Sequence, residues 1–217
     1  MLPTVSSWNQ HHWHGTAGEF HDMNLGAERA LWWCDVARPA LIVGSSQSLS
    51  LIDEECASQQ GIDVVRRRSG GGLVYVHPTD SVWIDVTLPV TDSLWSMDVT
   101  TSMLWLGRVF VNALSPWVNA ELFDGSFTSG DFGRAVCFAS HSPGEVFVDD
   151  HKLVGISQRR TRDGARFQCV VYRHWNSQPW LPCVADNHAV NGVQQLHVAT
   201  LTAEPNDIVS AVFHALP

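Results

Sequence analysis

Val64-Val65-Arg66-Arg67-Arg68-Ser69-Gly70-Gly71-Gly72-Leu73-Val74-Tyr75 sets three cations and three consecutive glycines between two short apolar runs. It reads as strand, loop, strand. Glycine has no Cβ, so successive glycines adopt positive φ, let another backbone or a ligand come close, and leave N–H groups free to form an anion cradle. Arginines beside such a loop suit a phosphate or carboxylate, because guanidinium stays charged and donates in pairs. Taken alone, the stretch also fits an exposed hairpin with a solvated charge run, so it needs a partner elsewhere in the chain. Asp150-His151-Lys152-Leu153-Val154-Gly155-Ile156-Ser157-Gln158-Arg159-Arg160 offers one, a strand that opens with the only lysine among 13 basic residues.

Size and composition narrow the rest. With 217 residues, 45% hydrophobic and 16% charged, the chain is globular and is expected to form one domain over residues 1–217. A net charge of −9 leaves no broad basic face for nucleic acid or an anionic membrane. Basic character is confined to Arg66–Arg68 and the neighbourhood of Arg159–Arg166, which suggests a small anionic ligand or an acidic protein partner. Cys34, Cys56, Cys137, Cys169 and Cys183 are odd in number and contain no C-x-x-C, which argues against a disulfide framework or zinc site. A reducing cytoplasm is the expected setting. The start of the chain lacks a charged-then-apolar export signal, and no apolar run is long enough to span a membrane. His11-His12-Trp13-His14, near a chain end and without a carboxylate beside it, reads as a polar strand or arm and not as a metal site.

Periodicity predicts a helix over 23–33, a buried strand over Pro39–Gly44, a short helix over 52–60 stopped by Gly61, and strands over 62–66, 73–76 and 82–88. A helix follows over 98–114, then a loop with at most one strand to Gly133. Strand runs over 144–148, 153–158 and 165–172, separated by turns at Asp149-Asp150-His151 and Asp163-Gly164, predict an antiparallel meander. A loop or short helix lies near 179–184, and a last helix starts at Pro205. Strands and helices without regular βαβ alternation make the fold class α+β, with a largely antiparallel mixed sheet flanked by helices.

Three separated stretches together resemble the lipoate-protein ligase A family and its octanoyltransferase relatives. Ile42-Val43-Gly44-Ser45-Ser46-Gln47 is similar to the family's strand ending in glycine and glutamine. Arg66 through Tyr75 resembles its R-R-x-S-G-G-G-x-V-aromatic signature, and Lys152-Leu153-Val154-Gly155-Ile156-Ser157 its lysine strand. The resemblance implies a biotin/lipoate ligase-like catalytic domain, related to class II aminoacyl-tRNA synthetases. It implies that Arg67 and the backbone of Gly72, Leu73, Val74 and Tyr75 line an acyl-adenylate site, that Ser69, Gly70 and Gly71 lie against the acyl chain, and that Lys152 reaches the activated carbonyl. The activity implied is attachment of a lipoyl or octanoyl group to the lysine of a lipoyl domain, using lipoate with ATP and Mg2+. An alternative is octanoyl transfer from acyl-carrier protein through a thioester on Cys137, whose place before Lys152 resembles that of some Gram-positive octanoyltransferases; a nearby ammonium would activate that thiol. A further alternative is a non-catalytic paralogue that only binds the acyl ligand. Cys183 loosely resembles the cysteine of another transferase class, and Cys169 reads as core. The chain departs from the family in three ways. His77 is displaced by one position, Phe167-Gln168-Cys169 replaces a histidine-glycine pair, and no C-terminal accessory domain is expected, which leaves three alternatives: a separate accessory subunit assists activation, the protein only transfers, or it binds the acyl ligand without turnover.

Overall fold

The computed structural model describes residues 8–217. The expectation about the chain's first residues lies largely outside that range. The first strands and helices are β1 (Asn9–Gly15), α1 (Ala17–Asp22), β2 (Ala30–Val36) and β3 (Ala40–Val43). Next come α2 (Glu54–Gln59), β4 (Asp63–Arg66), β5 (Val74–Val76) and β6 (Ser81–Pro89). The second half holds α3 (Leu104–Leu114), β7 (Glu121–Leu122), β8 (Val146–Val148), β9 (His151–Arg160), β10 (Gly164–Tyr172), α4 (Asn187–Gln195) and α5 (Pro205–Ala215).

Seven strands form one sheet in the order β1-β2-β6-β10-β9-β8-β7, antiparallel except for the β1–β2 edge. A separate small sheet has the order β4-β3-β5. Alternation on the long strands sorts their faces. Val82, Ile84, Val86 and Leu88 of β6 and Phe167, Cys169 and Val171 of β10 pack with α3 and α5 in one core. Trp83, Val170 and Tyr172 face the other way and meet Ile42 and Val76 of the small sheet. Beyond the small sheet, α2, α4 and the segment around Trp180–Val184 close a third core. The space between the two sheets is where the site lies.

Four expectations change. The stretch predicted as helix over 23–33 is a turn followed by β2: Gly26 has φ 75°, and Trp32 and Trp33 stack on His11 and His12 of the parallel edge strand. Long-range pairing overrides helical periodicity there. The helix predicted from Asp98 begins at Leu104, because the Asp98 carboxylate accepts from the Thr100 N–H at 2.9 Å and holds residues 98–103 in turns. The short helices α1 and α4 were not predicted. Finally, Cys56 and Cys183, 127 positions apart, form a disulfide where none was expected. Helix α2 packs on the 3-10 turn Leu181–Cys183, with the Asp53 N–H donating to the Cys183 carbonyl at 2.8 Å, and sequence spacing carries no trace of that contact. The pairing removes Cys183 as a nucleophile and is one that reducing compartments oppose. Among the described residues no helix is long and apolar enough to cross a membrane.

Candidate active site

Backbone approach that only glycine permits builds the loop. A Cβ on Gly44 would meet the Gly71 carbonyl oxygen at 1.8 Å, one on Gly72 would meet the Val136 nitrogen at 2.7 Å, and Gly71 has φ 101°. Gln47 accepts from the Gly44 N–H at 2.9 Å and donates to the carbonyls of Arg134 and Ala135 at 3.2 and 3.0 Å. The Leu73 N–H donates to Ala135 at 2.8 Å, and the Cys137 N–H to Leu73 at 3.0 Å. Residues 71–73 are thereby zipped to 134–137, which brings the glycine triplet beside Cys137.

Arg67 points inward. Its guanidinium donates to the carbonyls of Gly70 at 3.0 Å, Gly72 at 2.8 Å and Ile42 at 3.4 Å, so it braces the loop from behind instead of offering itself to an anion. Burial lowers its pKa, while the Cys137 thiol beside it acts in the opposite direction. Arg66 and Arg68 are the exposed members of the trio. Leu73 and Tyr75 bury their side chains in the third core, Tyr75 stacked on Trp180, and only Val74 turns toward the cavity between the sheets. His77 is occupied in its own turn with Thr79 and Asp80.

Ser157, Gln168 and Asp85 stand in one row across β9, β10 and β6 on the face toward the small sheet. Ser69 joins that row from the loop: its hydroxyl donates to Gln168 Oε1 at 2.7 Å and lies 3.1 Å from Ser157 Oγ. Asp85 is fully buried and accepts from the Arg166 guanidinium and, at 2.6 Å, from the Trp83 indole. Burial raises the Asp85 pKa and Arg166 pulls it back. A buried pair of this kind fixes the row in place and tolerates loss of neither partner.

Lys152 lies one layer behind the Cys137 turn. Its ammonium donates to Glu145 Oε2 at 2.7 Å and to the Cys137 carbonyl at 2.9 Å, below the Phe138 ring, and its side chain is 0% exposed. Burial raises the Glu145 pKa, and Lys152 opposes the shift. The expectation that the lysine faces the glycine triplet across open space becomes an indirect one: Cys137 stands between them, close to Gly71 on one side and bonded through its carbonyl to Lys152 on the other.

Two cavities meet at Cys137. The narrow one is lined mainly by Ile42, Val74, Trp83, Phe138 and Val170, together with the His21 ring. The open one, a groove of about 540 Å³, is lined by Gly70, Gly71, Arg134, Glu145, Gln158 and Arg160. Cys137, Ile156 and Ser157 border both, and Lys152 opens onto neither. Among the described residues no group of three or more His, Cys, Asp or Glu side chains is arranged to hold a metal ion.

Sequence reasoning missed His21, Asp85, Glu145 and Arg166. Asp85 had a signal, since a lone carboxylate inside Val82-Trp83-Ile84-Asp85-Val86 demands a buried partner. Gln168 stood out as a departure. His21 and Glu145 lie in segments without distinctive pattern.

A largely apolar cavity bordered by the partly buried Cys137 thiol and adjoining a polar groove has the form of a site for a molecule with an apolar tail and a polar end. The sequence profile of the lipoyl protein ligase A/B catalytic domain family matches residues 20–210. No curated protein matches the chain in sequence. Among solved structures, lipoate-protein ligase A bound with ATP superposes with a TM-score of 0.72 at 15% identity, covering 96% of this chain and 83% of that one. The bipartite lipoate protein ligase of Thermoplasma acidophilum, solved in a study with its E2 lipoyl domain, gives 0.69 at 15% identity over 96% and 82%. The Thermoplasma acidophilum protein Ta0514 with bound lipoic acid gives 0.67 at 16% identity over 96% and 84%. The chain belongs to the lipoyl protein ligase A/B catalytic domain family and is an enzyme of that kind, with the α+β fold of the lipoate ligases.

Proposed function

We propose that this protein attaches a lipoyl group to the acceptor lysine of a lipoyl domain, by way of lipoyl-adenylate made from lipoate and ATP. The observation that carries the reading is the junction at Cys137, where a largely apolar cavity gives onto a polar groove in front of a buried ion pair. The acyl chain lies in the narrow cavity and its carboxyl end at the junction. Lys152, fixed by Glu145 and the Cys137 carbonyl one layer behind the junction, acts on negative charge developing at the acyl carbonyl oxygen through its field and not by direct contact. The nucleotide occupies the groove, where exposed Arg134 meets phosphate; Mg2+ enters on the phosphates. Relatives solved with lipoic acid, with ATP and alongside a lipoyl domain support lipoate, ATP and a lipoyl domain as the molecules involved.

One observation favours a second reading. The Cys137 thiol borders both cavities beside the Arg67 guanidinium, a position suited to a thiolate nucleophile. In that reading the thiolate attacks the octanoyl thioester of acyl-carrier protein. A new C–S bond forms on Cys137 and the carrier leaves as thiol; the acceptor amine then forms the amide and frees the cysteine.

Mass spectrometry separates the two. With lipoate, ATP, Mg2+ and a lipoyl domain, the ligase reading expects a lipoylated acceptor and bound lipoyl-adenylate. With octanoyl-carrier protein, the transferase reading expects a hydroxylamine-labile adduct that Cys137→Ser abolishes. Acceptor modification under neither condition overturns both.

A further inference from the structure

The glycine loop is tied down unevenly. Arg67 holds the carbonyls of Gly70 and Gly72, the Ser45 N–H donates to the Ser69 carbonyl at 3.0 Å, and the Leu73 N–H donates to Ala135. These ties all run to the small sheet, to the loop itself or to the segment before Cys137. Among the described residues, the hydrogen bonds from residues 67–72 to the seven-stranded sheet come from one group, the Ser69 hydroxyl. It donates to Gln168 Oε1 on β10 at 2.7 Å and lies 3.1 Å from Ser157 Oγ on β9. The other end of the same amide, Gln168 Nε2, lies 3.3 Å from His21 Nδ1 at the end of α1. Gln168 stands across from Asp85 of β6, is 9% exposed and lines the narrow cavity. One amide thus joins the loop, α1 and the large sheet, and neither reaction scheme uses it.

We infer that Gln168 is a positioning residue, a strap that holds the glycine loop onto the seven-stranded sheet through Ser69 and so sets the affinity for the acyl ligand without entering the chemistry. The inference rests on the acyl-binding reading above and goes beyond it in naming what keeps the two sheets joined across the site. Gly70, Gly71 and Gly72 bring no side chain to anchor them, and glycine loses more freedom on ordering than any other residue. With the strap cut, the loop samples lifted conformations, and apparent affinity falls in proportion to the fraction of molecules in which it lies down. A bound ligand makes up for that loss at saturation, so the effect falls on KM and much less on kcat.

Two substitutions cut the strap from opposite ends. Gln168→Met keeps the length of the side chain and removes the amide, and Ser69→Ala removes the hydroxyl. In each, calorimetric titration of the whole protein with lipoate should show affinity lower by roughly tenfold, the scale of one buried hydrogen bond. The double variant should bind no more weakly than either single one, because both changes break the same bond. Steady-state lipoylation of a lipoyl domain should show KM for lipoate raised to match, with kcat lowered by less than about threefold, whereas general damage to the fold would lower kcat and the melting temperature together. Should Gln168→Met fail to fold, Ser69→Ala carries the affinity and rate tests alone. Unchanged lipoate affinity in the folded variants, fully additive losses in the double variant, or a fall in kcat with KM unmoved would overturn the inference and leave the acyl site standing. A wild-type protein that binds no lipoate would overturn the acyl-site reading and the strap with it.

Discussion

The two cavities that share Cys137 differ in almost every property except that border. The narrow one is walled mainly by aromatic and branched side chains, with the His21 imidazole, Arg67, Ser157 and Gln168 also on its lining; the groove is open, with Arg134 and Arg160 on its rim and Glu145 at its base. Arg160 is held by the carbonyls of Ser96 and Met97 and by stacking on Trp95, so the exposed positive charge of the groove belongs to Arg134. The contrast teaches how one chain can receive a molecule that is greasy at one end and ionic at the other. Each end is desolvated only where its surroundings replace water, and chemistry happens at the seam.

The seam is the easiest place to break the contrast. Lys152 and Glu145 are both buried and have each other as ionic partner, so Lys152→Ala removes the acyl-activating cation and also strands a carboxylate. Stability should fall by about 3–5 kcal/mol, as for a buried pair losing one member, together with loss of acyl transfer. Denaturant unfolding monitored beside activity checks this. Adding Glu145→Gln should restore part of the stability and none of the activity, and recovery of both would place catalysis elsewhere.

Acid sharpens the contrast by a smaller amount. His21 titrates near the ordinary histidine value of 6.5 when unfolded and is pushed down to about 3 when folded. Between those values the unfolded chain binds a proton that the folded chain refuses, so stability falls as pH drops from about 6.5 toward 3. His21→Leu should flatten the upper part of that slope, above the range where carboxylates titrate, by a few kcal/mol at most. Unfolding free energies at a series of pH values compare the two proteins. Parallel curves would mean the imidazole is not buried in the folded protein.

Much of this architecture was readable from residue order alone. Three consecutive glycines after three arginines, a strand ending in Gly44 and Gln47, and a solitary lysine opening an alternating strand marked segments that the fold brings together around Cys137. Their resemblance to a family supplied their meaning. What failed to show were contacts made by pairing distant segments. The helical spacing over 23–33 runs into Ala30–Val36, which is claimed by β1 and β6, and Cys56 meets Cys183 only because α2 packs on the Leu181–Cys183 turn. The direction in which Arg67 points was equally hidden, since composition cannot tell a guanidinium facing a ligand from one bracing a loop. Asp85, Gln168 and Ser157 form a row only once three strands take their register.

Alkylation of Cys137 by iodoacetamide, followed by peptide mass spectrometry with and without saturating lipoate, tests the shared seam most directly. Cys34 and Cys169 are buried and serve as internal controls, with Cys56 and Cys183 disulfide-bonded. Slowing at Cys137 alone, by tenfold or more at full occupancy, is the predicted result. An unchanged rate at Cys137 while lipoate is demonstrably bound would put the acyl group somewhere else and contradict the account.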